Sequence, residues 1–420
     1  MALQHHSEII NKYNRIKNSS NKLWSFKQIS HVHWPSALWL LTRHRAISLL
    51  PATLLSWLLF TCHTARADAL LPVDMNTTIT ISYDRSAPPA SYKIWQSVAN
   101  GYDRDNPGRR ARDWFRCKSN TDTSSGACSR QWLWGGPVRD TMISLRMTEQ
   151  RSKVSFNIPL RGRSSSCTYH TSPHDCSSAA GWQQMTDGRS YTGTNSKNFD
   201  LRLEAEDLAK IPTGGIWEGV LILEQRQWSG PSMTVAWWTA NITLDVTDRN
   251  NGAIYLPAFG RADPLVDLNL RTKPLSTAPG GEVSGSTVID TCLYDGYNSN
   301  NAWLQVTLSD LLPPWNRAAD LFSVTKTGTT GGNPRDRVDY RVTMNYNGNP
   351  VAMENKKTVT LNGVDTALIR PVALPGFPVT VVCTPSPLTL TVQPFAKASK
   401  TAGRYSGTLR VNLAARTLAP

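Results

Sequence analysis

From Asp74 onward the apolar residues of this chain recur at every second position, in short runs. Ile79, Ile81 and Tyr83 alternate with polar neighbours. So do Val154, Phe156 and Ile158; Ile242, Leu244 and Val246; Val338, Tyr340, Val342 and Met344; and Leu388, Leu390 and Val392. A period of two places one set of side chains on each face of a pleated strand, so each run has one buried and one wetted face. Clusters of Gly, Pro, Asn and Ser separate the runs, and many short alternating strands broken by turn residues predict β-sandwiches. Helical periodicity is weak, and its best stretches are 91–100 and 204–210.

The last run differs from the others because no further run comes after it. Over 403–413, Tyr405, Leu409, Val411 and Leu413 face one way, while Ser406, Thr408, Arg410 and Asn412 face the other. Beyond it only Ala414 to Pro420 remain, with no alternation that could pair back and close a sheet. An all-β domain ending this way leaves an edge, which is hazardous unless another chain covers it. Addition of a strand by a partner is one solution.

At 420 residues the chain has room for two or three domains with substantial cores. A turn-rich stretch at 247–252 comes after the run ending at Val246 and divides the mature part into two ordinary domain lengths. The expected layout is a leader at 1–67, one domain at 68–246, a linker at 247–251 and a second domain at 252–420. The leader rests on an apolar run at 46–60, preceded by Arg43-His44-Arg45 and followed by Ala65-Arg66-Ala67. A basic flank, a short apolar run and an A-x-A site read as a secretory signal peptide. The run is too short, and too broken by Pro51, to span a bilayer. Cleavage is expected after Ala67, with Ala69 as the alternative.

The formal charge of +14 divides at this point. Residues 1–66 carry eight basic residues and one acid, giving +7; the other 37 basic and 30 acidic residues also give +7. A mildly basic mature chain needs no polyanion to explain it, and no nucleic-acid partner is expected. Six cysteines remain in it: Cys117, Cys128, Cys167, Cys176, Cys292 and Cys383. An even count in an exported chain implies disulfides. Pairing in sequence order gives Cys117–Cys128, Cys167–Cys176 and Cys292–Cys383.

Catalysis has few places to reside. Only His170 and His174 survive cleavage, and there is no G-x-S-x-G elbow, P-loop or Rossmann glycine pattern. No enzyme and no cofactor is expected. Cys167, His170, His174 and Cys176 could together hold zinc. Their spacing is not that of a finger, however, and an oxidising compartment favours the disulfide, so no metal is expected. Arg104, Arg109, Arg110, Arg112, Trp114, Arg116 and Lys118 crowd around Cys117, and Arg130, Trp132 and Trp134 follow Cys128. Guanidinium forks hold carboxylates and aromatic faces stack on apolar ring surfaces, so such a patch suits an acidic sugar.

Several motifs, in order along the mature chain, resemble those of the CfaE/CblD family, the tip adhesins of class 5 (alternate chaperone–usher) fimbriae that include the minor tip subunit of cable pili. They are Ser125-Gly126-Ala127-Cys128, Pro212-Thr213-Gly214-Gly215-Ile216-Trp217, Ile254-Tyr255-Leu256-Pro257, Val266-Asp267-Leu268-Asn269-Leu270-Arg271, Cys292-Leu293-Tyr294-Asp295-Gly296-Tyr297 and Ala402-Gly403-Arg404-Tyr405-Ser406-Gly407. The resemblance implies two immunoglobulin-like sandwiches in tandem: an adhesin domain, then a pilin domain that lacks its final strand. It implies a periplasmic chaperone, an outer-membrane usher and a major pilin subunit as partners, with export through the periplasm to the fimbrium tip. The acceptor of the donor strand would be Tyr405, Leu409, Val411 and Leu413. Receptor contacts in the relatives come from arginines, one five residues before the first cysteine, here Arg112. The others form a basic pair on the strand after the Gly-Gly-x-Trp motif, where this chain has only Arg226, flanked by Trp228. Arg112 and Arg226, with Arg110 and Trp228 as neighbours, are therefore the expected contacts to a host glycan or glycoprotein. The alternative function is that of a non-adhesive minor pilin that only initiates assembly.

Overall fold

The computed structural model describes residues 69–169, 177–178, 181–228, 232–261, 263–273, 275–278 and 280–415. It is built almost wholly of strands, as the alternation requires. The N-terminal part is one continuous hydrogen-bonded sheet that wraps around its own core. Ser91–Asp103, Ser196–Glu204, Ser155–Thr168, Thr141–Glu149, Gly215–Arg226, Thr234–Thr247 and Met75–Asp84 follow one another in pairing order. All these pairs are antiparallel except the last, where Met75–Asp84 runs parallel to Thr234–Thr247. Trp95, Phe115, Phe199 and Trp238 meet at its centre, with the Phe115 and Phe199 rings stacked at 4.5 Å. The Cys117–Cys128 disulfide lies beside them.

The stretch 91–100, expected as a helix, is part of the strand Ser91–Asp103. Its pairing with Ser196–Glu204 slips at Lys93/Trp95, Trp95/Val98 and Ala99/Tyr102. Each bulge places an extra residue in one strand and rotates those after it. Repeated slips break the period of two and put Ile94, Trp95 and Val98 at spacings that imitate a helix. The second expected helix survives as the single turn Ala205–Leu208.

The C-terminal part begins after the short turn Arg249–Asn251. Its main sheet orders Leu270–Lys273, Glu282–Ile289, Leu388–Ala396, Arg337–Tyr346, Phe322–Lys326 and Tyr405–Ser406. Facing it are Thr358–Asn362, Trp303–Ser309 and Arg410–Ala415. Between them lie Leu304, Val306, Leu308, Phe322, Val338, Val342, Met344, Leu388 and Leu390, all buried. The Cys292–Cys383 disulfide anchors a small side sheet at one end.

Two of the motifs meet where the two sandwiches join. Asn298 Nδ2 donates to the Gly214 carbonyl at 2.7 Å and to Thr213 Oγ1 at 3.1 Å. The Asp248 amide donates to the Gly296 carbonyl at 3.0 Å. Asn300 Nδ2 donates at 3.0 Å to Glu149, a buried carboxylate that also takes the amides of Arg151, Ser152 and Ile216. The Gly-Gly-Ile-Trp run and the loop after Cys292 are thus two halves of one joint. Glycine is required there: a Cβ on Gly214 would stand 2.1 Å from the Gly296 carbonyl oxygen.

Candidate functional site

Two surface features stand out, one on each sandwich. The first is a groove of about 1020 Å³ in the C-terminal sandwich. One wall is the strand Arg410–Ala415, which pairs antiparallel with Trp303–Ser309. No strand among the described residues pairs with its other edge. The facing wall is the segment 263–268 together with Ile254 and Leu256, and 263–268 belongs to no strand. Val411, Leu413 and Ala415 from one wall and Leu256, Val266 and Leu268 from the other are only partly buried against the core. Ile289, Tyr340, Leu388 and Leu390 form the floor. The groove is an apolar slot flanked by two unpaired backbones. At about 3.3 Å per residue, the six residues of Arg410–Ala415 offer about 20 Å of edge, the length of an ordinary strand.

The expected single strand over 403–413 is two strands. Tyr405–Ser406 pairs with Phe322–Lys326 in the main sheet, and Arg410–Ala415 pairs in the facing one. The chain crosses between sheets at 407–409, where Gly407 lies against the Ser323 carbonyl and Val324 with room for no larger residue without a shift. Tyr405, Leu409, Val411 and Leu413 do all turn inward, as their alternation requires. Of these four, only Leu409, Val411 and Leu413 line the groove; Tyr405 sits outside it, its hydroxyl donating to the carbonyls of Thr401 and Arg335.

The second feature is the basic and aromatic patch of the N-terminal sandwich. The short strand Trp114–Cys117 pairs with the end of Gly215–Arg226, setting Arg116 opposite Glu224 and Trp114 opposite Arg226. Arg116 Nε donates to Glu224 at 2.7 Å, and Arg226 and Arg130 each approach the same carboxylate at 3.8 Å. Arg226 also donates to Thr234 and to the Ser232 carbonyl. Burial and the nearby Arg116 lower its pKa, and Glu224 opposes them. The Arg226 charge is therefore engaged inside the protein, through an acid only two residues away in sequence.

Arg110 is a correction to the expected contacts. It is 3% exposed and pairs with the buried Asp113 at 3.1 Å, so it cannot reach a ligand at the surface. Burial raises the Asp113 pKa to about 6 against the opposing effect of Arg110, and Gln225 Nε2 donates to the same carboxylate at 2.9 Å. Arg112 is different. Its guanidinium lies 5.7 Å from the Trp134 ring and its Nε donates to Ser190 Oγ at 3.3 Å. Arg109, Arg110, Arg116, Arg130, Arg189 and Arg226 each have a carboxylate within 4 Å, whereas Arg112 has none among the described residues. Trp228 sits between Trp132 and Trp134, at ring-centroid distances of 4.3 and 5.3 Å. The structure thus brings Arg112 and Trp228 into one patch and leaves Arg226 beside it, already engaged.

Lys197, fully buried next to this patch, carries no mark in the sequence that would set it apart. Its Nζ donates to the Asp187 carbonyl, and burial lowers its pKa to about 8 against the pull of Asp187 and Asp113. Cys167 is disulfide-bonded; its expected partner Cys176, with His170 and His174, lies outside the described residues.

Comparison with known proteins agrees with this architecture. Residues 64–249 match the family model for the first domain of CfaE, the E subunit of CFA/I fimbriae, and residues 252–417 match the model for its second domain. The chain is 26% identical to that protein of Escherichia coli over 347 residues, covering 81% of this chain and 90% of the relative. Among solved structures it resembles CfaE, the adhesive subunit of CFA/I fimbria of enterotoxigenic Escherichia coli, with a TM-score of 0.70, 24% identity, and coverage of 83% of this chain and 94% of that one. A chaperone–tip adhesin complex of CFA/I fimbriae biogenesis matches with a TM-score of 0.61 and 23% identity, over 82% of this chain and 97% of that one. With both of its tandem β-sandwiches matched, in order, by the two CfaE domain models, this chain belongs to the CfaE family of fimbrial subunits.

Proposed function

We propose that the chain is a fimbrial tip adhesin that also initiates assembly: its C-terminal sandwich accepts a strand from another subunit, and its N-terminal sandwich binds a glycan or glycoprotein on a host cell. The open groove beside Arg410–Ala415 carries this reading. It presents an unpaired edge and a row of apolar side chains at the spacing a strand needs. The first occupant would be a periplasmic chaperone, and the second the major pilin subunit delivered at an outer-membrane usher. From Ala69 on, the N-terminal chain is committed to its own sheet, with Ala69–Leu70 on Ser91–Asp103 and Met75–Asp84 on Thr234–Thr247. With cleavage where the A-x-A site puts it, nothing would be left to donate to a further subunit, which suits a place at the end of a fibre.

The adhesive role rests on Arg112. A guanidinium with no carboxylate within 4 Å among the described residues is the cation ready for an anionic receptor group. Arg112→Ala should weaken attachment of fimbriated cells to host cells about tenfold to a hundredfold, the loss of one or two charge-assisted hydrogen bonds. Arg226→Ala should weaken it less, because Glu224 already holds that charge. The number of fimbriae, counted by electron microscopy, should not change. Unaltered attachment in Arg112→Ala would favour the rival reading, a minor pilin needed only to start assembly.

A further inference from the structure

We propose that Trp132, Trp134 and Trp228 form a wall on which a neutral hexopyranose ring of an acidic oligosaccharide stacks, with the carboxylate of a neighbouring sugar at Arg112, and that Asp187 and Lys197 are positioning residues that hold this wall. This rests on the adhesin reading and deepens it by giving the site a second, uncharged subsite. Trp132 is 44% exposed and Trp134 51%, and both pack on Trp228. Large half-exposed aromatic rings gathered in one place on a protein surface mark a binding site. An indole face carries partial negative charge, and the C–H face of a pyranose presents slightly positive hydrogens, so the two stack. Arg112, beside the Trp134 ring, sets a single positive charge at the edge of the wall.

Indoles on a loop would turn freely unless the loop were fixed, and here it is fixed from below. The Leu133 amide donates to the Thr186 carbonyl and the Gly188 amide to the Leu133 carbonyl, both at 2.9 Å. The Asp187 carboxylate takes the amides of Gly135 at 3.3 Å and Gly136 at 3.1 Å, the two residues after Trp134. It also takes the Arg189 amide at 2.8 Å. Lys197 holds Asp187 in turn through its carbonyl, and both side chains are buried. Burying an ammonium and a carboxylate is costly, and holding the tryptophan loop is the visible gain that offsets it. Gly188 lies beside the Trp228 ring, close enough that an added Cβ would touch it at 3.7 Å.

The test uses the exported full chain on a panel of immobilised oligosaccharides, each made with and without a carboxylated sugar next to its neutral hexose. Trp134→Ala should weaken binding to both kinds about tenfold, whereas Arg112→Ala should weaken binding only to the carboxylated kind. Lys197→Met should lose the part of the circular-dichroism exciton band that Trp228→Ala also removes, the Trp95–Trp238 pair keeping its own, together with glycan binding, while the sheets still melt cooperatively. Should Lys197→Met fail to fold, Asp187→Ala makes the same measurement, since it removes the acceptor of the Gly135 and Gly136 amides. Wild-type binding in Trp134→Ala beside a loss in Arg112→Ala would overturn the wall and leave the adhesin intact. An unchanged exciton band in the folded Lys197 or Asp187 variant would overturn the positioning role. A wild-type chain that binds no glycan on the panel and no host cell would remove both.

Discussion

Replacing Leu413 by Asp is expected to abolish capture of a donor strand while leaving the chain folded. Leu413 is only partly buried and lines the wall of the groove, so in the lone chain a carboxylate there can turn to water. Once a strand fills the slot, the same carboxylate is sealed above a floor of Ile289, Tyr340, Leu388 and Leu390, cut off from water. Burying an unpaired charge costs several kcal/mol, and each step of about 1.4 kcal/mol is a tenfold change in affinity. Binding of a peptide with the sequence of the major subunit's N-terminal extension should therefore fall at least about a thousandfold, as read by fluorescence anisotropy. Thr360→Asp, at an exposed position of the strand Thr358–Asn362 outside the groove, should change it little. Equal loss in both variants would mean that general damage, and not the slot, is responsible.

The second large effect is expected at the joint between the sandwiches. A methyl group at Gly214 would overlap the Gly296 carbonyl, a backbone atom that cannot swing aside, and would also approach the Asp248 amide at 3.1 Å. The loop after Cys292 must then move, which breaks the bonds from Asn298 to Gly214 and Thr213. Gly214→Ala should cost about 3 kcal/mol, the upper range for overpacking at a rigid site. Differential scanning calorimetry should show the two sandwiches melting separately. A variant that melts with wild-type cooperativity would show that the joint yields more readily than its geometry implies.

The all-β character, the inward set of the last strands and the edge position of the final described one are legible in the order of apolar residues, because pleat and burial act locally. Features that depend on pairing register, and on contacts far apart in the chain, are not. The stretch 91–100 reads as a helix because bulges in the strand Ser91–Asp103 break the period of two. That Glu224 already holds the Arg226 charge is not legible, because Glu224 becomes the meeting point of three arginines only through the register that sets it opposite Arg116. Arg110 carries a local warning in Asp113, three residues on, which is its buried partner. Gly214-Gly215-Ile216-Trp217 and the loop after Cys292, which in sequence serve only as family marks, face each other, a relation that no local pattern contains. Lys197 has no signal at all, since a buried lysine looks like any other in sequence.

The proposed function turns on the two backbones, unpaired among the described residues, that flank the groove beside Arg410–Ala415. Amide hydrogen exchange, followed by mass spectrometry on the full chain alone and in complex with a strand-donating subunit, addresses this directly. In peptides covering 410–415 and 263–268, the amides on the open edges should exchange fast in the lone chain and become strongly protected in the complex, while the amides of 410–415 bonded to Trp303–Ser309 are protected in both. Slow exchange of the open-edge amides in the lone chain, unchanged when the partner binds, would contradict it.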